Sequence, residues 1–349
     1  MSFKRLDPED LVVSSDSITS TLWSTDTPTL TTFHTSSTQR TGETGKFYLD
    51  VNQVATSSVD SAVQFSIAYC DKVGSGSALY NSIVDGKSPS STMYGTYRSL
   101  ILEDENSDFI FGKGSNFITS SDFWAISIER SRYKEALFPG SLNLELTGPG
   151  GTIQLTDDSQ DTLVNTYLGG TRVFQLISGS NGTAGTLGGS GYVANSGSYG
   201  LVFPDLGTII FNPYAVSQSI HVEPSRVSDS NEDNPSKLYT AISGAGSFQL
   251  NSEETITSDY VFVRARNNEF NYSENPSFIS GSTGEVIYPS FINNPQTYIT
   301  TVGMYNDSNE LLAVAKLSKP LLKDYTKELL LRVKLDFVWI GMFLSQFFF

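Results

Sequence analysis

The stretch SAVQFSIAYC, residues 61–70, decides the fold class of this sequence. Phe65, Ile67 and Tyr69 occupy alternate positions, so their side chains point to the same face of an extended strand. β-branched and aromatic residues dominate the stretch, as is typical of strands. It therefore predicts a β-strand at the start of a core sheet.

Neighbouring segments extend this pattern at the spacing expected of antiparallel β structure. The segments are KFYLDV (46–51), DFWAISIER (122–130), GSLNLEL (140–146), GTIQLT (151–156), RVFQLIS (172–178), LGTIIFNP (206–213) and SDYVFVRARN (258–267). A helix is expected over STMYGTYRSLIL (91–102), and short Pro-initiated helices are expected over NPYAVSQ and NPSKLYTAIS. No βαβ rhythm is visible. The sequence predicts a mainly β fold with antiparallel sheets and a few short helices.

Composition divides the chain into five segments. They are an extended N-terminal assembly arm (1–45), a β-rich domain with one helix (46–178), a long Gly-rich loop (179–200), a second β-rich part ending in a hairpin and a C-terminal strand (201–337), and an apolar tail (338–349). The arm is predicted because its apolar residues follow no lasting period, so a neighbouring surface is expected to cover them. The loop holds eight glycines in 22 residues, too flexible for the interior of an element.

Net charge and cysteine content exclude several classes of partner and site. The formal charge is −15, from 22 Lys and Arg against 37 Asp and Glu, and no basic stripe interleaved with aromatics is present. Nucleic acid and anionic membrane surfaces are therefore not expected as partners. Cys70 is the single cysteine, which excludes an internal disulfide framework and a multi-cysteine metal site. The N-terminal residues form no apolar run like that of a signal peptide, so we expect synthesis in a reducing cytoplasm.

Three stretches of the sequence resemble ligand-binding motifs but do not match their patterns. GSGSALYNSIVDGKS (74–88) has Leu79 where a dinucleotide loop needs glycine and Asn81 where a Walker loop needs it, so a flexible turn is expected. DSNEDN (229–234) and LTDDSQD (155–161) carry alternating oxygen ligands but break the EF-hand template. They are interpreted as solvated acidic loops, with cation binding left open.

The sequence predicts no catalytic, cofactor-binding or metal-binding residue and no enzyme activity. Only His34 and His221 offer a base near neutral pH, and neither lies in a motif with a nucleophile. A two-carboxylate glycan hydrolase needs only two acids at a fixed separation, which the sequence does not reveal. The aromatic-rich segment 267–278 suits sugar stacking, although a role as strand ends and turn anchors of a β protein is favoured, because aromatics commonly pack across strands.

The C-terminal residues LLLRVKLDFVWIGMFLSQFFF change character at Val338. Up to Phe337 apolar and charged residues alternate as in a half-buried strand, and from Val338 the chain is almost wholly apolar. A helix of these twelve residues would be about 18 Å long, too short for a hydrocarbon core of about 30 Å. We expect no membrane span, and we expect the tail to pack against a neighbouring subunit or its own sheet.

Candidate interface residues follow from the arm and the tail. They are Leu11, Val12, Val13, Leu22, Trp23, Phe33, Trp339, Met342, Phe343 and Phe347.

Several stretches resemble a known class of proteins. These are MSFKRLDPEDLVVSSDSIT, SSVDSAVQFSIAYCDKVGSGSALYN, YGTYRSLIL and FINNPQTYITTVGMYNDSNELLAVAKLSKPLLKDYTKELLLRVKLDF. Across residues 1–337 the chain resembles virion structural proteins of T4-like contractile-tailed phages that infect cyanobacteria. The tail from Val338 departs from that pattern.

The resemblance implies a place in the phage particle and supplies no catalytic residues. It implies assembly in the tail or baseplate after synthesis in the host cytoplasm. The expected partners are other tail or baseplate proteins and further copies of the chain, in an oligomer or a ring. A neck, collar or capsid-associated protein, and a host-binding or glycan-active tail fibre, remain alternatives.

Overall fold

The structure is a computed structural model that describes residues 5–35, 48–77, 88–161, 166–226, 233–272 and 276–338. It confirms the predicted class: about 45% of the chain is strand, the sheets are antiparallel, and the four helices among the described residues are short. The chain forms two compact units. The middle unit is Ile18–Glu254, and the terminal unit combines Met1–Ser17 with Thr255–Phe349.

The helices and strands have the following bounds. The strands are β1 (Leu11–Thr21), β2 (Thr29–Leu30), β3 (Tyr48–Asn52), β4 (Val63–Asp71), β5 (Phe109–Lys113), β6 (Asn116–Ser120), β7 (Asp122–Ile128), β8 (Ala136–Leu137), β9 (Asn143–Gly148), β10 (Gly151–Asp157), β11 (Thr166–Leu168), β12 (Thr171–Ser180), β13 (Thr183–Ala184), β14 (Gly200–Phe203), β15 (Thr208–Phe211), β16 (Phe248–Gln249), β17 (Asn251–Ala265), β18 (Thr297–Tyr305), β19 (Leu311–Lys323) and β20 (Leu329–Val338). The helices are α1 (Pro89–Ile101), α2 (Pro213–Ile220), α3 (Asn234–Ala245) and α4 (Pro289–Asn293), and 3-10 turns cover Pro8–Asp10 and Arg130–Arg132.

The middle unit contains a 12-stranded sheet in the order β2-β16-β9-β10-β12-β14-β15-β7-β4-β3, with β11 and β13 on β12. Both faces of its central strands are buried, because Phe65, Ile67 and Tyr69 of β4 join one core while Ala68 and Cys70 join another. Helices α2 and α3 contribute to the first core and α1 to the second. Strands buried on both faces are mostly apolar, which explains the run FWAISI in β7.

The N-terminal segment corrects the predicted arm. Trp23 is 2% exposed, and its ring meets Phe248 edge-on with a centroid distance of 4.9 Å. Its indole N–H donates to the Pro28 carbonyl over 3.2 Å, and Leu22 is equally buried. The interface assignment is wrong for these two residues, since they lie in the hydrophobic core of their own chain. The sequence pattern did not reveal their burial because they belong to no periodic apolar run and their contacts are with strands that lie far away along the chain.

The Gly-rich loop is not a boundary between units. Residues 179–200 lie within the middle unit, where β12 ends at Ser180 and β13 pairs back on it. Gly200 starts β14, and a Cβ at this position would lie 1.9 Å from the carbonyl oxygen of Ile210. The glycine therefore permits close approach of neighbouring strands rather than flexibility alone.

In the terminal unit, β17 pairs antiparallel with β20 from Ala265↔Leu329 to Ile256↔Val338. β1 lies on the other side of β17, and β18 and β19 form the predicted hairpin. Strands β1 and β17 each cross the boundary between the two units. Lys323 at the end of β19 is fully buried and donates to the Asn267 carbonyl, Asn271 Oδ1 and the Asp324 carbonyl over 2.7 to 3.0 Å.

Candidate functional site

The apolar surface of the terminal unit is the strongest candidate site. Among its described residues only four apolar side chains are buried, and fifteen large ones are exposed. In the described part of the middle unit forty-six are buried and ten are exposed. The buried four are Val261, Ala265, Leu331 and Val333. The described part of the terminal unit therefore exposes more large apolar side chains than it fully buries, as is typical of a surface that meets a partner.

Three predicted interface residues lie on this surface. Leu11, Val12 and Val13 are exposed on β1, and Val13 is 61% exposed. In the described residues β1 pairs only with β17, so it lies at an edge of its sheet. An exposed edge strand with apolar side chains is a ready template for another chain.

The other predicted interface residues are placed differently. Phe33 is partly buried against the core of the middle unit, with its ring 6.4 Å from that of Phe65. Trp339, Met342, Phe343 and Phe347 lie outside the described residues, so the prediction for the tail stays a prediction.

The hairpin β18–β19 presents an apolar outer face that sequence reasoning missed. Gly303 pairs with Val314 and Tyr305 with Leu311, so all four lie on one face. The Tyr305 ring folds over Gly303, where a Cβ would come within 2.9 Å of Tyr305 Cε2. Val314 is 57% exposed. The signal was present in the sequence, because apolar residues fill both alternating positions of β19 and only one set can face inward.

A groove of about 210 Å³ opens within the terminal unit. Leu6, Leu11, Val261, Met304 and Leu335 supply its apolar lining, and Asp7 and Asp259 its acidic groups. The lining joins the N-terminal residues, the sheet and the hairpin. It is large enough for one or two apolar side chains.

A second surface feature is a cluster of aromatic rings between β17 and β18. Phe278 lies 4.5 Å from Phe291, 6.2 Å from Tyr288 and 6.4 Å from Tyr272, measured between ring centroids. Tyr272 and Tyr288 are about half exposed, and Ile292 is 69% exposed. The sequence interpretation of strand ends and turn anchors agrees with this placement, since the rings pack in a region of turns after β17 and on the short helix α4.

Two buried acids in the middle unit, Asp71 and Asp122, have hydrogen-bond partners within the chain. Asp122 Oδ2 accepts hydrogen bonds from the Tyr69 hydroxyl and from Arg226 Nε, both over 3.0 Å. Asp71, its partner across β4 and β7, accepts from the backbone N–H groups of Val73 and Ser75. Burial raises the pKa of the Asp71 carboxyl and, with the charge of Asp122, the pKa of the Tyr69 hydroxyl. Both carboxylates are buried and hold neighbouring chain segments in place.

The acidic segment 155–161 is not a solvated loop, contrary to the sequence interpretation. Asp157 is buried and accepts from the Gly140 N–H with both oxygens, over 2.9 and 3.0 Å. Asp158 accepts from the Gln175 N–H and from Lys113 Nζ. These carboxylates satisfy backbone donors that a turn would otherwise leave unpaired. Among the described residues no group of three or more His, Cys, Asp or Glu is placed to hold a metal ion.

The remaining motif residues occupy structural positions. His34 forms a backbone bridge with Asn52, with two hydrogen bonds of 2.8 Å. His221 ends α2 in the left-handed conformation with φ of 56°. Of DSNEDN, residues 229–232 lie outside the described residues, and Asn234 is buried with its amide bridging Gly76 and Ser225.

Comparison of the chain with protein-family models, curated proteins and solved structures gives no match. In the part of the chain that the structure describes, no helix is long and apolar enough to cross a membrane.

Proposed function

We propose that this chain is a structural component of a contractile-tailed phage particle and acts through protein–protein interfaces in its tail or baseplate. The observation that carries the proposal is the contrast in burial between the two units. A middle unit with a complete core needs no partner to fold, whereas the terminal unit exposes fifteen large apolar side chains.

The charge distribution supports the same assignment. The terminal unit has ten Lys and Arg against thirteen Asp and Glu, a net charge of −3, so the middle unit carries −12 of the total −15. Protein interfaces are depleted of charge at their centre. A nearly neutral apolar unit attached to an acidic one therefore suits assembly through the terminal unit.

Val13→Asp tests the proposal in the phage. The variant should fold normally, because Val13 is exposed, yet enter particles several-fold less well, because the new charge would be buried in an interface. Val59→Asp is the matched control, since Val59 is fully exposed on the middle unit. Quantitative mass spectrometry of purified particles measures incorporation. Absence of the native protein from particles, or equal incorporation of both variants, would contradict the proposal.

The proposal also predicts that the chain catalyses no reaction of a small molecule. Incubation of the purified protein with nucleotides and with host surface polysaccharide should release no product. The exposed tyrosines of the aromatic cluster favour a second candidate, a glycan-binding tail protein, because sugar rings stack on such side chains. Saturable binding of the polysaccharide, lost in Tyr288→Ala, would support that alternative.

A further inference from the structure

We propose that residues 339–349 of the apolar tail fold back onto their own chain and place Phe343 and Phe347 in the groove of the terminal unit. The inference goes beyond the proposed function, because it concerns the single chain and holds whether or not that chain enters a phage particle. Three features support it: the place where the groove opens, the reach of the tail, and the absence of charged side chains from the tail.

The groove opens on one face of the sheet, close to the end of β20. Leu331, Val333 and Leu335 alternate along β20 and therefore share this face. Val261 pairs with Val333 and lies on the same face. Leu331 and Val333 are each 8% exposed, whereas Leu335 is only partly buried and lines the groove. The described residues therefore cover this face as far as Val333 and leave an apolar gap at Leu335.

Three further apolar side chains border the same gap. Leu6 and Leu11 line it from the N-terminal residues, and Met304 lines it from the hairpin. Leu6 is 40% exposed and Leu11 is 36% exposed. Removal of such apolar surface from water is the main driving force of packing. An apolar segment that enters this groove would therefore be held by contacts on several sides.

The tail starts close enough to reach the groove. Strand β20 ends at Val338, three residues beyond Leu335, which is about 10 Å along the strand. Gly341 follows shortly after this end, and glycine most readily adopts the backbone conformations that a tight reversal needs. After a reversal there, the four residues 342–345 span about 13 Å when extended, enough to return to the level of Leu335.

Phe343 and Phe347 are the aromatic side chains nearest to the point that the returning tail reaches. They are four positions apart, so they share one face whether the segment is extended or helical. The groove of about 210 Å³ has room for one or two apolar side chains. The spacing of the two rings therefore suits a single groove.

Charge favours this segment over other parts of the chain. Asp7 and Asp259 lie at the groove, and the chain as a whole carries −15, so an acidic segment would be repelled. Residues 338–349 contain no Asp, Glu, Lys or Arg. Their entry therefore neither brings like charges together nor removes a charge from water.

Attachment to the same chain favours a chain's own tail over the tail of a second copy. Two sites joined by a short flexible linker meet at an effective concentration in the millimolar range. The tail of another copy has the same sequence but is present only at the concentration of the protein. At micromolar concentration the groove is therefore filled from within the chain.

A tryptophan at position 343 reports whether the groove is filled. The chain has three tryptophans, of which Trp23 and Trp124 are buried in the middle unit. In the double variant Trp339→Phe with Phe343→Trp, only the new indole belongs to the tail, and Trp339→Phe alone supplies the background. The fluorescence of the new indole should be blue-shifted, and acrylamide should quench it several-fold less than a solvent-exposed indole.

Met304→Asp, added to the double variant, should release the tail. A carboxylate in the groove would lose water on contact with the aromatic ring, so quenching should rise several-fold. Val314→Asp is the matched control, because Val314 lies on the outer face of the same hairpin and is 57% exposed. Leu6→Asp is a second groove variant outside the hairpin and should act like Met304→Asp. Circular dichroism checks that each variant is folded.

The protection should not depend on protein concentration over about 1–100 µM, well below the effective concentration of an attached segment. An indole that is open to acrylamide when the groove is unsubstituted, or one that stays protected in both Met304→Asp and Leu6→Asp, would overturn the inference. Protection that disappears on dilution, with dimers in sedimentation, would show that a second copy fills the groove and would also overturn it. These results leave the proposed function untouched, since incorporation of Val13→Asp into particles tests that separately.

Discussion

Replacement of Trp23 by Ala should destabilise the middle unit strongly. The side chain is 2% exposed and packs edge-on against Phe248 and Phe65. A buried Trp removes about 200 Å² from water, worth about 5 kcal/mol at 25 cal/mol per Å². Measured Trp→Ala substitutions in cores cost about 3–5 kcal/mol, so we expect the free energy of unfolding to fall by about 4 kcal/mol.

Urea unfolding followed by far-UV circular dichroism measures this loss, because the substitution removes one of only three tryptophans and alters fluorescence itself. Tm should fall by about 10 °C for a unit of this size. Val13→Ala is the control, and because Val13 is 61% exposed it should change stability by less than about 0.5 kcal/mol.

The same experiment separates two descriptions of the N-terminal residues. If residues 18–35 were a detached arm, Trp23→Ala would cost less than about 1 kcal/mol and would behave like Val13→Ala. Protease would also remove this segment from the free protein. Resistance of residues 18–35 to limited proteolysis, together with a large loss of stability, is the result that the buried indole requires.

Two further substitutions probe buried ionisable groups. Burial raises the pKa of the Asp71 carboxyl above its ordinary value of 3.8, so the folded protein binds the proton of this carboxyl more tightly than the unfolded chain does. The free energy of unfolding therefore falls as the pH rises from the pKa of the unfolded chain through the pKa of the folded protein. Asp71→Asn should therefore flatten the pH dependence of urea unfolding above about pH 4, and an unchanged profile would contradict this. Lys323→Met removes one donor from each of three oxygen acceptors, although the Asn267 carbonyl still accepts from Asn271 Nδ2, and it should cost about 2–3 kcal/mol. The loss should be seen as faster tryptic cleavage in the loop 266–272, and cleavage at the native rate would show that Lys323 does not hold this loop.

The sequence was sufficient for the strands that are buried in a regular way. Segments 61–70 and 122–130 were recognisable because period two and continuous apolar runs follow directly from burial on one or both faces. Helix α1 was recognisable for the equivalent reason at helical spacing, and it begins at Pro89, close to the predicted start. Local pattern and burial agree in these elements.

Positions that depend on distant partners were not recognisable. Trp23 is buried by Phe65 and Phe248, which lie far along the chain, so nothing near it in sequence signals the contact. Asp157 was assigned to solvent because its use as an acceptor for Gly140 requires the fold itself. The outer face of the hairpin was overlooked because an apolar strand position is normally assigned to the core, and exposure becomes visible only once both faces are built.

The two units differ in net charge and in the number of apolar side chains that they expose. The middle unit carries −12, which keeps free copies apart at long range, although such repulsion is screened beyond about 8 Å at physiological salt. The terminal unit carries −3 and exposes its apolar side chains, each worth about 1.5–3 kcal/mol when fully buried against a partner. At contact distance these apolar side chains outweigh the screened repulsion, so the proposed function requires a partner that covers the terminal unit and not the acidic middle unit. The exposed Leu11, Val12 and Val13 of the edge strand β1 are where such a partner would gain apolar contacts.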